Sequence, residues 1–125
     1  MDKSENYELL KFILESISHI KYRFKVISTI DDFLENEDGL MRLDAISMRL
    51  QAIGEALENI DKRDKSLLTT IATKEYWSNI IKTREIISHH YINLDAEIVY
   101  YICKEKLNEL EKYIKKLETT IKEEK

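Results

Sequence analysis

Arg84, His89, His90 and Tyr91 bring a guanidinium, two imidazoles and a phenol into eight residues, the run Arg84-Glu-Ile-Ile-Ser-His89-His90-Tyr91. A guanidinium holds an anion through a fork of N–H donors, and an imidazole gives and takes protons near neutral pH. Together they suit chemistry on a phosphodiester. Other reactive groupings are lacking in the sequence. No Cys/His set has zinc spacing, no glycine-rich phosphate loop occurs, and no serine sits in a nucleophile elbow. Cys103 falls on an apolar stripe and reads as a small core side chain. His19 stands alone and reads as structural.

The elements that must position the cluster are helices. The chain has 125 residues, no proline and two glycines, Gly39 and Gly54. β domains of this size need more turn formers than that, so the composition predicts an all-α fold in one domain, residues 1–125, with a frayed tail after about residue 120. Leu9, Ile13, Ile17, Ile20, Phe24 and Ile27 recur at steps of three and four, predicting a first helix from about Glu5 to Ser28. Thr29-Ile-Asp-Asp32 resembles a capping arrangement before a short turn at Phe33-Leu34. Asn36-Glu-Asp-Gly39 reads as the clearest turn in the chain. A second long helix, near Leu40 to Ile60, carries the stripe Leu43, Ile46, Leu50, Ile53, Leu57 and Ile60. Gly54 inside it predicts close packing against a neighbouring helix.

Asp61-Lys-Arg-Asp-Lys65 reads as a charged connector, and Ser66 as the cap of a short helix through Leu67, Leu68 and Ile71. A further helix begins near Lys74 and carries Arg84. The last runs from about Leu94 to Lys122 with Cys103, Leu107, Leu110, Ile114, Leu117 and Ile121 inward, and Asn93 as its expected N-cap. Tyr100 and Tyr101 read as packing residues. The sum is an antiparallel four-helix bundle with one or two short extra helices.

On the helix bearing the cluster, Trp77, Ile80, Ile81, Arg84, Ser88 and Tyr91 share one face. Arg84 sits mid-stripe, so it must snorkel, find a partner or line a cleft. His89 is five residues on, about 140° around a straight helix. For both to meet one phosphate, the helix must end near Ser88–His89, or the two must come from different subunits.

The net charge of −4 argues against a general nucleic-acid coat protein but leaves room for a local basic site. A single cysteine is read as belonging to a reducing compartment, and the polar start Met1-Asp2-Lys3-Ser4-Glu5-Asn6 is no signal peptide. With no apolar run of membrane-spanning length, these place the chain in the cytoplasm, without a membrane partner.

Arg84 to Tyr91 reads R-x4-H-x-Y, which resembles the signature of the HEPN superfamily of helical ribonucleases, and the closer likeness is to its HepT-like toxin branch. Trp77 before the arginine, Asp95 after the tyrosine and Ile53-Gly-Glu-Ala56 in the second long helix fit that branch, and the likeness extends from about Leu9 to Leu117. The chain departs from the pattern at Glu85, where the branch often has asparagine, at Lys82, where it often has glycine, and before Trp77, where it usually has proline.

The resemblance implies the toxin of a type VII-like toxin–antitoxin system: a two-fold homodimer acting as a metal-independent endoribonuclease. Arg84 and His89 would be catalytic, with His90 in reserve and Glu85 and Ser88 supporting. His89 is preferred because it alone keeps the H-x-Y spacing. The expected product carries a 2′,3′-cyclic phosphate. The resemblance also implies a partner nucleotidyltransferase antitoxin that uses MgATP to place AMP on Tyr91; the chain itself would need no cofactor or metal. Gly54 and Glu55 read as structural residues near the site. The competing expectation is a non-enzymatic helical subunit that binds a nucleotidyltransferase.

Overall fold

The computed structural model describes residues 3–87 and 91–123. Ser88, His89 and His90 lie outside the described residues. Helix α1 spans Lys3–Phe24, α2 Asp31–Leu34 and α3 Glu37–Arg63. A 3-10 turn at Leu68–Thr70 leads to α4, Lys74–Ile86. Helix α5, Ile92–Tyr101, passes through a π-turn at Ile102–Lys106 into α6, Leu107–Glu123. Among the described residues there is no strand, and no helix is long and apolar enough to cross a membrane.

The four long rods are α1, α3, α4 and the α5–α6 unit. Helix α3 packs between α1 and α4, and α1 packs on α6. Cross-helix bonds fix the directions. Arg63 pairs with Glu5, and Arg49 donates to Ser16 Oγ at 3.2 Å, so α1 and α3 run antiparallel. Lys21 meets Glu111 at 2.6 Å, joining the end of α1 to the start of α6.

The apolar stripes form the core as the spacing predicts. Ile13, Ile17 and Ile20 of α1, the whole α3 stripe, and Cys103 through Ile121 are buried together. Each large aliphatic side chain taken from water contributes about 1.5–3 kcal/mol. In α1 the register differs slightly: Leu10 fills the core, while Leu9 and Phe24 are half-buried. Phe24 instead meets the edge of Tyr100 at 5.5 Å, and the Tyr100 hydroxyl donates to the Ser28 carbonyl at 2.8 Å. Tyr101 is exposed, with the Lys106 ammonium 5.9 Å from its ring, so it is not the packing residue expected.

Several boundaries move for identifiable reasons. Asn36-Glu-Asp-Gly39 is the start of α3 rather than a turn. Asn36 is extended, and its Oδ1 accepts from Gly39 N at 2.8 Å. The residue types that favour turns also favour helix caps, because both uses satisfy a local backbone N–H. Gly39 is required by proximity: a Cβ there would lie 2.1 Å from the Asp32 carbonyl oxygen of α2. The Asp32 carboxylate reaches back to Ser28 N at 2.7 Å and Thr29 N at 3.1 Å, the acidic half of the expected capping arrangement.

Helix α3 also continues through Arg63, taking up most of the expected connector, because Lys62 and Arg63 suit the negative end of a helix. Ser66 caps nothing; its hydroxyl and N–H turn to the Asp64 carboxylate. The last rod starts at Ile92 with Tyr91 at its N-cap, so Asn93 falls inside the first turn.

Candidate active site

Helix α4 is set by contacts at three levels. At its start, Thr73 Oγ1 accepts from Tyr76 N at 3.1 Å and caps the helix. One turn on, the Trp77 ring is buried and its Nε1 donates to the Leu68 carbonyl at 2.7 Å. That bond satisfies the indole N–H and locks the rotation of α4 against the 3-10 turn. Tyr76 lies edge-on to both Trp77 and Tyr113, and burial pushes its phenol well above the usual tyrosine range.

Farther along, Gly54 lets α3 and α4 touch backbone to backbone. A Cβ at Gly54 would stand 3.3 Å from the Ile81 carbonyl oxygen and 3.4 Å from Arg84 Cβ. The glycine expected to allow close packing therefore packs against Arg84 itself.

Arg84 finds a partner and lines a cleft at once. Its Nη1 donates to Glu58 Oε1 at 2.7 Å, and the two side chains are 33% and 30% exposed. A pair this open contributes under about 1 kcal/mol to stability, but it orients the guanidinium. Glu58 was not picked out from the sequence, which had drawn notice to Glu55, an exposed side chain. The signal was present: Glu58 is four residues after Gly54, so it shares the helix face that meets α4.

The guanidinium borders a cleft of about 480 Å³ between the C-terminal half of α3, the 3-10 turn and α4. Trp77 and Ile81 supply its apolar wall, and Lys62, Lys65, Lys74 and Lys82 stand around it. Glu85, expected as a supporting residue, is exposed on the same cleft.

Helix α4 then stops. Ile86 is its last residue and Ile87 its C-cap, with Ile87 N donating to the Thr83 carbonyl at 3.0 Å. The helix end required for Arg84 and His89 to serve one phosphate thus arrives two residues earlier than expected. Gln51 Nε2 donates to the Ile87 carbonyl at 3.1 Å, fastening this end to α3.

A second groove, about 600 Å³, opens beside Ile87 and Ile92, with Met41, Met48 and the buried Asp95 in its wall. Tyr91 is 69% exposed at the head of α5. The expected catalytic His89, its reserve His90 and the supporting Ser88 lie outside the described residues. His19 is exposed on α1, apart from these residues. Cys103 is buried and its thiol is pushed up to about 12, which suppresses the thiolate needed of a nucleophile.

Comparison with known proteins gives one family. A family model described as ribonuclease HepT-like matches residues 13–117. No solved structure matches the chain.

Proposed function

Because the chain belongs to the HepT-like ribonuclease family, we propose that it is the toxin of a type VII-like toxin–antitoxin pair. It is an endoribonuclease cutting RNA without a metal ion at an Arg84/His89 site composed across a homodimer. The observation that carries this reading is Arg84 itself: a guanidinium fixed by Gly54 and Glu58 on the lip of a basic cleft, two residues before the last residue of its helix.

The chemistry follows from what those groups do. An imidazole takes the proton from a ribose 2′-hydroxyl, and the 2′-oxygen bonds to phosphorus. The guanidinium stabilises the added negative charge of the phosphorane. The bond from phosphorus to the 5′-oxygen breaks, and a second imidazole, now protonated, gives that oxygen its proton. The products are a 2′,3′-cyclic phosphate and a 5′-hydroxyl. One chain provides one motif histidine, His89, with His90 in reserve; a two-fold partner provides the second proton carrier. Exposed Met41, Met48 and Ile92 beside Ile87 supply an apolar surface for that partner next to the motif. Ser88 and Glu85 act in support.

Silencing is AMP transfer. The Tyr91 oxygen attacks the α-phosphorus of ATP held by a partner nucleotidyltransferase, and pyrophosphate leaves. A phosphate ester on an exposed tyrosine next to the motif occupies the place of RNA phosphate and repels it.

The test is expression without the partner. The unaltered chain is expected to arrest growth and cleave RNA in EDTA, and Arg84→Ala or His89→Ala to relieve both. A chain that neither cleaves RNA nor slows growth refutes the nuclease and leaves a nucleotidyltransferase-binding subunit. After incubation with partner and MgATP, Tyr91 should gain the mass of one or more AMP units; an unchanged mass refutes the silencing step.

A further inference from the structure

The cleft beside Arg84 concentrates lysine side chains. Five basic and three acidic side chains line it, a local charge of +2 on a chain whose total is −4. The Glu58 carboxylate is taken up by Arg84. That leaves Lys62, Lys65, Lys74 and Lys82, all exposed, against Asp61 and Glu85. The four ammonium groups come from two elements and the segment between them: α3, its outgoing connection and both ends of α4. The separation from Lys74 to Arg84 is ten residues of helix, about 15 Å, which spans about four nucleotides of a stacked strand.

We propose that this cleft is the track for the RNA strand on one side of the scissile phosphate, with Lys62, Lys65, Lys74 and Lys82 neutralising successive phosphates as the strand leaves Arg84. This rests on the nuclease reading and adds to it the residues that hold the substrate. Lys82 gains a role here: it places a cation on the cleft wall two residues before Arg84. Trp77 is too buried to stack on a base, so the track reads phosphate charge and not base identity.

The experiment uses the full chain and a fluorescein-labelled single-stranded RNA oligonucleotide with 2′-O-methyl riboses, which binds without being cut. Four phosphate contacts predict a slope of log K against log salt of about −2.8, hence about fifty-fold weaker binding at 200 mM than at 50 mM salt. The double variant Lys62→Gln/Lys82→Gln is expected to reduce that slope by about 1.4. With cleavable RNA it should raise KM about tenfold while leaving kcat within about twofold, since uniform binding is lost. The control Lys112→Gln/Lys116→Gln removes two exposed lysines from α6 and changes net charge equally.

Variants that bind like the unaltered chain, or a control that loses as much, overturn the track while leaving the nuclease intact. Tight ATP binding with the same lysine dependence also overturns it, making the cleft a nucleotide pocket. If the unaltered chain neither binds nor cleaves RNA, the nuclease reading fails first and the track with it.

Discussion

The two hollows flanking α4 differ in kind. The cleft beside Arg84 is walled by lysines and contains an ion pair; the groove beside Ile87 has no basic side chain in its lining, and Met41 and Met48 stand out from α3 there beside Asp44 and the buried Asp95. Water satisfies the first, because ammonium groups are well hydrated when nothing is bound. It poorly satisfies the second, where Met48 alone is 70% exposed. Contiguous apolar exposure rimmed by polar groups marks a surface that another protein covers. On the proposed reading, the first hollow would take a polyanion and the second a protein, with Arg84 in the last turn of α4 beside the first.

That contrast can be broken at either hollow. Arg84→Ala should have the largest effect, a fall in RNA cleavage of about 10²–10³, as for removal of one charge-stabilising donor. Melting should change by under about 1 kcal/mol, since only an open ion pair is lost. A large melting change with intact cleavage would assign Arg84 to structure. Next, Gly54→Val forces a branched side chain into a contact that already stands at 3.3 Å. It should destabilise by about 1–3 kcal/mol in urea titrations and lower cleavage by displacing α4; unchanged cleavage would show that the guanidinium tolerates movement.

On the apolar side, Met48→Glu places a charge on an exposed residue and should not alter melting. If two copies meet there, it raises the dimer dissociation constant at least about tenfold by sedimentation, and cleavage falls with dimer population. Unaltered association would move the interface elsewhere. A smaller effect is expected for Glu58→Gln, which keeps a hydrogen-bond acceptor and removes the charge competing with phosphate for Arg84. KM for RNA should fall about two- to threefold, and a rise would show that the carboxylate's orienting role dominates.

Outside both hollows, Cys103 gives a control in pH. Burial raises its thiol from 9.0 to about 12, so the folded state favours the protonated form. Its contribution to stability is complete below pH 9 and is lost as pH climbs towards 12. Cys103→Val should flatten that loss in denaturant titrations without affecting cleavage.

Much of this was legible in sequence. The stripes of α3 and α6 are buried residue for residue because their spacing keeps an unbroken helical period. Gly54 was legible too, since a glycine inside a strong helix needs a reason. Caps were harder: Asn36 and Gly39 carry the composition of a turn, and only the approach of α2 explains the glycine. The π-turn at Ile102–Lys106 left no mark, because Val99, Cys103 and Leu107 still fall at steps of four. Within the site, Arg84 is marked in sequence by its spacing to His89 and Tyr91 and by its place in an apolar stripe, whereas Glu58 lies on another helix and needs a tertiary register. Lys62 and Lys65 looked like an ordinary charged connector. They join Lys74 and Lys82 only when α3 and α4 lie side by side.

The bond from Gln51 to the Ile87 carbonyl has a mechanical consequence. Gln51 sits on the same turn of α3 as Met48 and borders the groove where a second molecule would press. Strain applied to that turn would reach the C-cap of α4 through this amide bond, three residues after Arg84. If two copies do meet at that groove, their assembly would then bear on how the guanidinium is held.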